Sequence, residues 1–174
     1  MILRKLDHDL RRSDLAEAKE LVYDVLGYDC ADLLMETESV EYGACIFKLN
    51  GLSVKFRVAK ITPTKTGQFV TIWKREQGGP IKPFDESDEI DLIIISTRKE
   101  NYFGQFIFPK AVLLRHGIIS NKHVGGKRGI RVYPPWDVTT SAQAKKTQQW
   151  QLKYFLEIPF DKPLNEGIVR KLLG

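Results

Sequence analysis

The chain holds 174 residues, 43% of them hydrophobic and 28% charged, with a net charge of +5 at neutral pH and a pI near 9.1. This composition fits one folded domain over 1–174 and excludes a disordered or membrane-spanning chain, because the longest apolar runs, such as Leu92–Ile95, fall far short of a bilayer. Charged residues arrive too soon after Met1 for a signal-peptide core, so a cytoplasmic address is expected, with Cys30 and Cys45 as reduced buried thiols.

An amphipathic helix is expected after Ser13, which can cap it, with Leu15, Ala18, Val22 and Val25 at helical spacing and Gly27 as the stop. Tyr42–Leu49 and Leu52–Ile61 favour strands, and Asn50-Gly51 between them is a strong hairpin signal, because both residues tolerate positive φ. Gly67–Lys74 alternates Phe69, Thr71 and Trp73 against Val70 and Ile72, which predicts another strand. Within Glu89–Thr97 the apolar run suits a central strand buried on both faces. Tyr102–Phe108 is expected to follow as a strand after a polar turn, and Pro109 opens a short helix, Lys110–His116, that Gly117 closes. Ile130–Tyr133 reads as a short strand. From Ser141 to about Ile158 a longer helix would point Trp150 and Phe155 toward the core and set Lys145, Gln149 and Lys153 on one face. A brief helix over Leu164–Leu173 ends the chain. The expected fold class is α+β: a single domain with a mainly antiparallel or mixed sheet of about five to six strands, flanked by helices.

Charge is unevenly distributed. Lys55–Arg75 holds six Lys or Arg residues and no acid, around a Thr/Gly-rich loop flanked by aromatics. Lys122–Arg131 and Lys145–Lys153 add two further basic segments, while acids gather at Asp29–Glu41 and Asp85–Asp91 and read as solvated loops. Lys and Arg with interleaved hydroxyl donors suit phosphate oxygens, and aromatics suit bases, so the pattern points to a nucleic-acid backbone; the alternative is a hairpin whose charged face is merely solvated. Arg57, Lys60, Lys65, Lys74 and Arg75 are the phosphate candidates in the first block, with Thr62 and Thr64 as hydrogen-bond donors and Trp73 as a stacking ring. In the second, glycines permit close approach of an anion to backbone N–H groups, Lys127, Arg128 and Arg131 bring charge, and Tyr133 can stack. Trp136, in the corner Tyr133-Pro134-Pro135-Trp136, suits either stacking or core packing.

Catalytic signals are sparse. A metal-dependent nuclease needs converging carboxylates and usually Asp/Glu-x-Lys on a strand, yet the hairpin strand reads Ser53-Val54-Lys55, and Glu17-Ala18-Lys19 falls in a helix. A divergent nuclease using Glu41, Asp88 or Asp91 stays as the enzymatic alternative. Thr62–Gly67 is phosphate-cradle-like in composition but lacks the P-loop pattern; a binder of nucleotides or small phosphate ligands on this loop is a further alternative, and a plain turn is another. His8, His116 and His123 have no metal-ligand spacing, and no cofactor is expected.

The run Phe56–Arg75 resembles the signature of the MepB-like family. Gly104-Gln105-Phe106-Ile107-Phe108-Pro109, Gly126-Lys127-Arg128 with Arg131–Trp136, and Gln143-Ala144-Lys145 with Thr147, Gln148 and Trp150 are similar to the same family, over most of Glu41–Phe155. The resemblance implies a cytoplasmic bacterial protein and, through a more distant similarity to DNA-recognition portions of restriction enzymes, DNA binding without cleavage. The expected partner is therefore nucleic acid, DNA more than RNA and single strands included, and not a membrane.

Overall fold

The structure, a computed structural model, describes residues 14–174. Ser13 and His8, named above as a helix cap and as a lone histidine, lie outside the described residues. Helix α1 is α-helical over 14–18 and continues as a π-helical turn, Lys19–Tyr23. It carries Leu15, Ala18, Val22 and Tyr23 into the core, although the expected Val25 is exposed.

A mixed six-stranded sheet forms the centre, in the order β1 (Cys30–Met35), β2 (Cys45–Leu49), β3 (Leu52–Val58), β8 (Leu92–Lys99), β9 (Tyr102–Pro109), β11 (Phe155–Glu157). Only the β3–β8 pair is parallel. The β2–β3 turn has Asn50 at φ 48° and Gly51 at φ 81°, the double left-handed geometry that a two-residue hairpin of this hand demands. Strand β8 is buried along Leu92–Thr97: Leu92 and Ile94 enter one apolar cluster, Ile93 and Ile95 the other. The first cluster is covered by α1 and by α4 (Glu166–Leu173), which contributes Val169 and Leu173. Burial pushes the Cys45 thiol there up to about 12, and Cys45 and Cys30 form no disulfide.

The other face is covered by a small sheet, β4 (Lys60–Ile61), β5 (Gln68–Thr71) and β10 (Gly129–Val132), in the order β10-β5-β4, with α2 (Lys110–Arg115) and α3 (Ala142–Gln151) beside it. A two-stranded ribbon pairs β6 (Trp73–Lys74) with β7 (Lys82–Pro83). Two expected strands are thus each broken between sheets. Leu52–Ile61 changes sheet at Ala59, whose N–H still bonds Ser96 of β8 while Lys60 already pairs with Phe69. Gly67–Lys74 breaks at Ile72, whose buried side chain joins the second cluster and whose N–H bonds the Arg128 carbonyl.

Two further expectations are corrected. The long helix after Ser141 stops at Gln151, passes through a 3-10 turn and becomes β11, because Phe155 and Leu156 reach opposite apolar clusters, as only a strand allows. Phe155 lies over Gly104, where a Cβ would stand 2.2 Å from its ring. Strand β1 went unforeseen within the acidic segment. It is an edge strand whose ladder is interrupted between Ala31 and Leu34, with Asp32 at φ 58°.

Candidate functional site

Of the twelve residues singled out in the sequence, ten fall into two groups in space, and Lys60 and Arg128 line neither. Lys65, Lys127, Arg131 and Tyr133 line one cavity of about 570 Å³ between the small sheet and α3, and among the described residues no Asp or Glu lines it. Lys65 also lines a second concavity of about 430 Å³, formed by the Pro63–Gly67 loop, Lys99 and Trp136–Val138. The two hollows therefore meet at this lysine. Thr64 belongs to the second hollow and is exposed, as are Lys65, Lys127 and Arg128. Among the described residues these three cations have no ion pair. Lys60 stands on the outer side of β4 with its Nζ 4.8 Å from the centre of the Tyr42 ring.

Local bonding explains why these side chains are presented. Arg131 donates from Nη2 to Thr62 Oγ1 at 2.9 Å, and the Thr62 hydroxyl itself reaches the Lys65 carbonyl at 3.4 Å. Thr62 therefore holds the loop and the arginine, a different role from the phosphate donor expected. Gly67, at φ 84°, lets the Tyr133 ring close over the loop; a Cβ there would meet the ring at 2.7 Å. Buried Gln151 continues the edge of β10, accepting from the Tyr133 N–H and donating to the Arg131 carbonyl, both at 2.9 Å. Gln148 fixes the Pro-Pro corner by donating to the carbonyls of Pro134 and Asp137 at 3.0 and 2.9 Å. Trp136 stacks on Tyr102 and meets Phe155 edge-on, so packing accounts for it.

The Gly-rich loop before Lys127 is pinned from below. Asp85, 1% exposed, accepts from Ser120 Oγ at 2.6 Å, Ser87 Oγ at 2.7 Å and the His123 N–H at 2.8 Å. These donors, the Ser120 hydroxyl foremost, hold its carboxyl well below the usual carboxylate range. Lys122 and His123 take left-handed φ of 49° and 65° to satisfy it, and Gly126 packs so tightly that a Cβ would stand 2.6 Å from Pro83. An acid expected in a solvated loop is thus an internal anchor for the segment that carries Lys127.

Arg57, Trp73, Lys74 and Arg75 form the second group, around a separate cleft of about 340 Å³ with Glu36, Glu38 and Lys55. Here the reading of the block as one open cationic face is corrected. Arg57 is 2% exposed and bonds Glu36 and the Phe56 carbonyl, so it cannot meet a polymer. Lys55 takes the other Glu36 oxygen at 3.0 Å. Lys74 Nζ lies 2.6 Å from Asp88 and 3.3 Å from Glu76; burial lowers its pKa, but these two carboxylates outweigh that and raise it. Arg75 pairs with Glu38 at 2.8 Å and lies 5.5 Å from the Trp73 ring. The chain runs from β1 back across this cleft, so two acids of Asp29–Glu41 neutralise part of the basic block instead of facing water.

The carboxylates named for a nuclease are dispersed, two of them in structural duties. Asp88 binds Lys74 and the Asp85 N–H, Asp91 accepts from the Ser53 N–H at 2.8 Å, and Glu41 is exposed. Among the described residues no group of three or more His, Cys, Asp or Glu side chains converges as a metal site would require.

The cavity also holds residues that the sequence did not single out as ligand-facing. Gln143, Thr147 and Trp150 line it from α3, at positions i, i+4 and i+7 of one helical face, and His116 lines it from the end of α2. That spacing was the available signal. Lys145, Gln149 and Lys153 are exposed as expected but stand on a neighbouring face.

No helix among the described residues is long and apolar enough to cross a membrane. No curated protein matches the chain. Among solved structures, a crystal structure of MepB is 32% identical with a TM-score of 0.73, over 84% of this chain and 98% of that one. The MepB-like family model matches residues 36–157, from the Glu36 that holds Arg57 to the end of β11. The chain therefore belongs to the MepB-like family.

Proposed function

We propose that this protein binds nucleic acid without cleaving it, DNA in preference to RNA, through the cavity between β5, β10 and α3, as a cytoplasmic protein. One observation carries the reading: cations from two distant segments, Lys65 and then Lys127 and Arg131, line a hollow that, among the described residues, has no carboxylate in its wall, next to a Tyr ring. A polyanion meets attraction there without a competing internal anion. The second hollow on the far side of Lys65 gives a backbone somewhere to continue, which favours a polymer over a small phosphate ligand. Lys74, Arg75 and Arg57 drop out of the interface because Asp88, Glu38 and Glu36 already hold them. The DNA-recognition portions of restriction enzymes are the functional analogy, and dispersal of Glu41, Asp88 and Asp91 supports binding without hydrolysis.

The test is a titration of labelled single-stranded and duplex DNA across a salt series, with and without Mg²⁺ or Mn²⁺. Four phosphate contacts, from Lys65, Lys127, Arg128 and Arg131, predict a slope of log affinity against log salt of about −2.8 on single strands, at roughly −0.7 per contact. Intact DNA after incubation with either metal is expected. A flat salt response, or no binding at low salt, refutes the proposal, and metal-dependent cleavage abolished by Asp91→Ala or Glu41→Ala replaces it with a nuclease.

A further inference from the structure

We infer that His116 and Trp150 form a stacking platform for an unpaired base, so that the cavity takes a nucleotide from a single strand, or one turned out of a duplex, in place of intact double helix. This deepens the proposed function and rests on it. The two rings lie parallel within 7°, with centroids 3.9 Å apart. Trp150 is backed by Phe108, 5.4 Å away in the second apolar cluster, so the platform is tied to the core. His116 is the exposed outer layer, and its backbone N–H bonds the carbonyls of Val112 and Leu114 at the end of α2. Among the described residues no carboxylate pairs with the His116 imidazole. Burial, with Arg115 and Lys153 nearby, lowers its pKa and so favours the neutral ring.

An exposed ring that lines a cavity and is anchored from behind by a stacked Trp150 is the arrangement on which a base stacks. Bases inside a duplex already have both faces covered, so only an unpaired or extruded base can use it. The same cavity is lined by Lys127 and Arg131, whose charge suits a phosphate, and by Gln143 and Thr147, which offer donors and acceptors to a base edge. A cavity of about 570 Å³ has room for a nucleotide.

The experiment compares oligothymidylate with an abasic oligomer of equal length by fluorescence anisotropy at low salt, using wild type, His116→Ala and His116→Phe. Oligothymidylate should bind wild type about tenfold more tightly than the abasic strand, His116→Ala should remove most of that gap, and His116→Phe, which keeps a ring, should retain it. Equal affinity of wild type for both oligomers overturns the platform while leaving phosphate binding intact. An unchanged gap in a folded His116→Ala does the same. Failure of wild type to bind either oligomer overturns the proposed function as well. Should His116→Ala not fold, the wild-type comparison and His116→Phe still decide, because loss of the gap in His116→Phe also refutes a stacking role.

Discussion

Charge reversal in two places separates the cationic cavity from the neutralised cleft. Lys65 and Lys127 are exposed, and among the described residues have no ion pair, so Lys65→Glu with Lys127→Glu should shift stability by less than about 0.5 kcal/mol each. Binding should suffer strongly: losing two of four contacts takes the single-strand salt slope from about −2.8 to about −1.4 and weakens low-salt affinity by roughly tenfold or more. Lys74→Glu with Arg75→Glu is predicted to do the opposite. The Lys74–Asp88 pair, 2.6 Å apart with side chains 17% and 23% exposed, loses about 1–3 kcal/mol when its charge-assisted bond is removed. The more exposed Arg75–Glu38 pair adds about 1 kcal/mol or less. A combined loss of roughly 1–4 kcal/mol should lower the melting temperature by about 2–16 °C in a domain of this size. Thermal melts and anisotropy titrations on the same preparations read both effects. The division is refuted if Lys74→Glu/Arg75→Glu abolishes binding without changing the melt, or if Lys65→Glu/Lys127→Glu binds DNA as tightly as the parent.

Two further outcomes follow from buried groups. Arg57→Met leaves Glu36, 21% exposed, with Lys55 alone and should cost roughly 2–4 kcal/mol, seen as a lower urea midpoint at unchanged slope, while oligonucleotide affinity stays within about twofold. Asp85 has a folded pKa below its unfolded value of about 3.9, so its stabilisation is complete above that value and is lost as pH falls through the folded one. Urea midpoints measured from neutral to acid pH should therefore fall more steeply for wild type than for Asp85→Asn, and an identical acid limb in the two would sink the anchoring role.

Periodicity and turn chemistry made much of the central sheet legible. The Asn50-Gly51 hairpin and the doubly buried Leu92–Ile95 run depend on local sequence, and both stand as expected. Strand β1 and the end of α3 did not, because each is decided by a distant partner: β1 by an edge of β2, and Phe155 by the space over Gly104. The site divides in the same way. Lys65, Lys127, Arg131 and Tyr133 were legible as cations and a ring beside a loop, and the structure gathers them. Arg57 and Lys74 look identical to them in sequence, since the carboxylates that neutralise them lie 21 and 14 residues away. His116 and Trp150 were invisible as a pair because they come from different helices.

The break at Ala59 has a consequence for the order in which the molecule can assemble. Strands β4 to β7 are threaded between β3 and β8, the two members of the parallel pair, while β10, which completes the small sheet, arrives only after β8, β9 and α2. The β8–β9 hairpin closes through the two-residue turn at Glu100 and Asn101 and needs nothing distant. By contrast, β5 has only the two-residue β4 nearby, and its longer pairing, with β10, waits for a segment some sixty residues further along, a closure with a larger entropic cost. The cavity wall is therefore a late-forming unit resting on an early one. Local opening of that wall, with the central sheet intact, would widen the cavity without unfolding the protein.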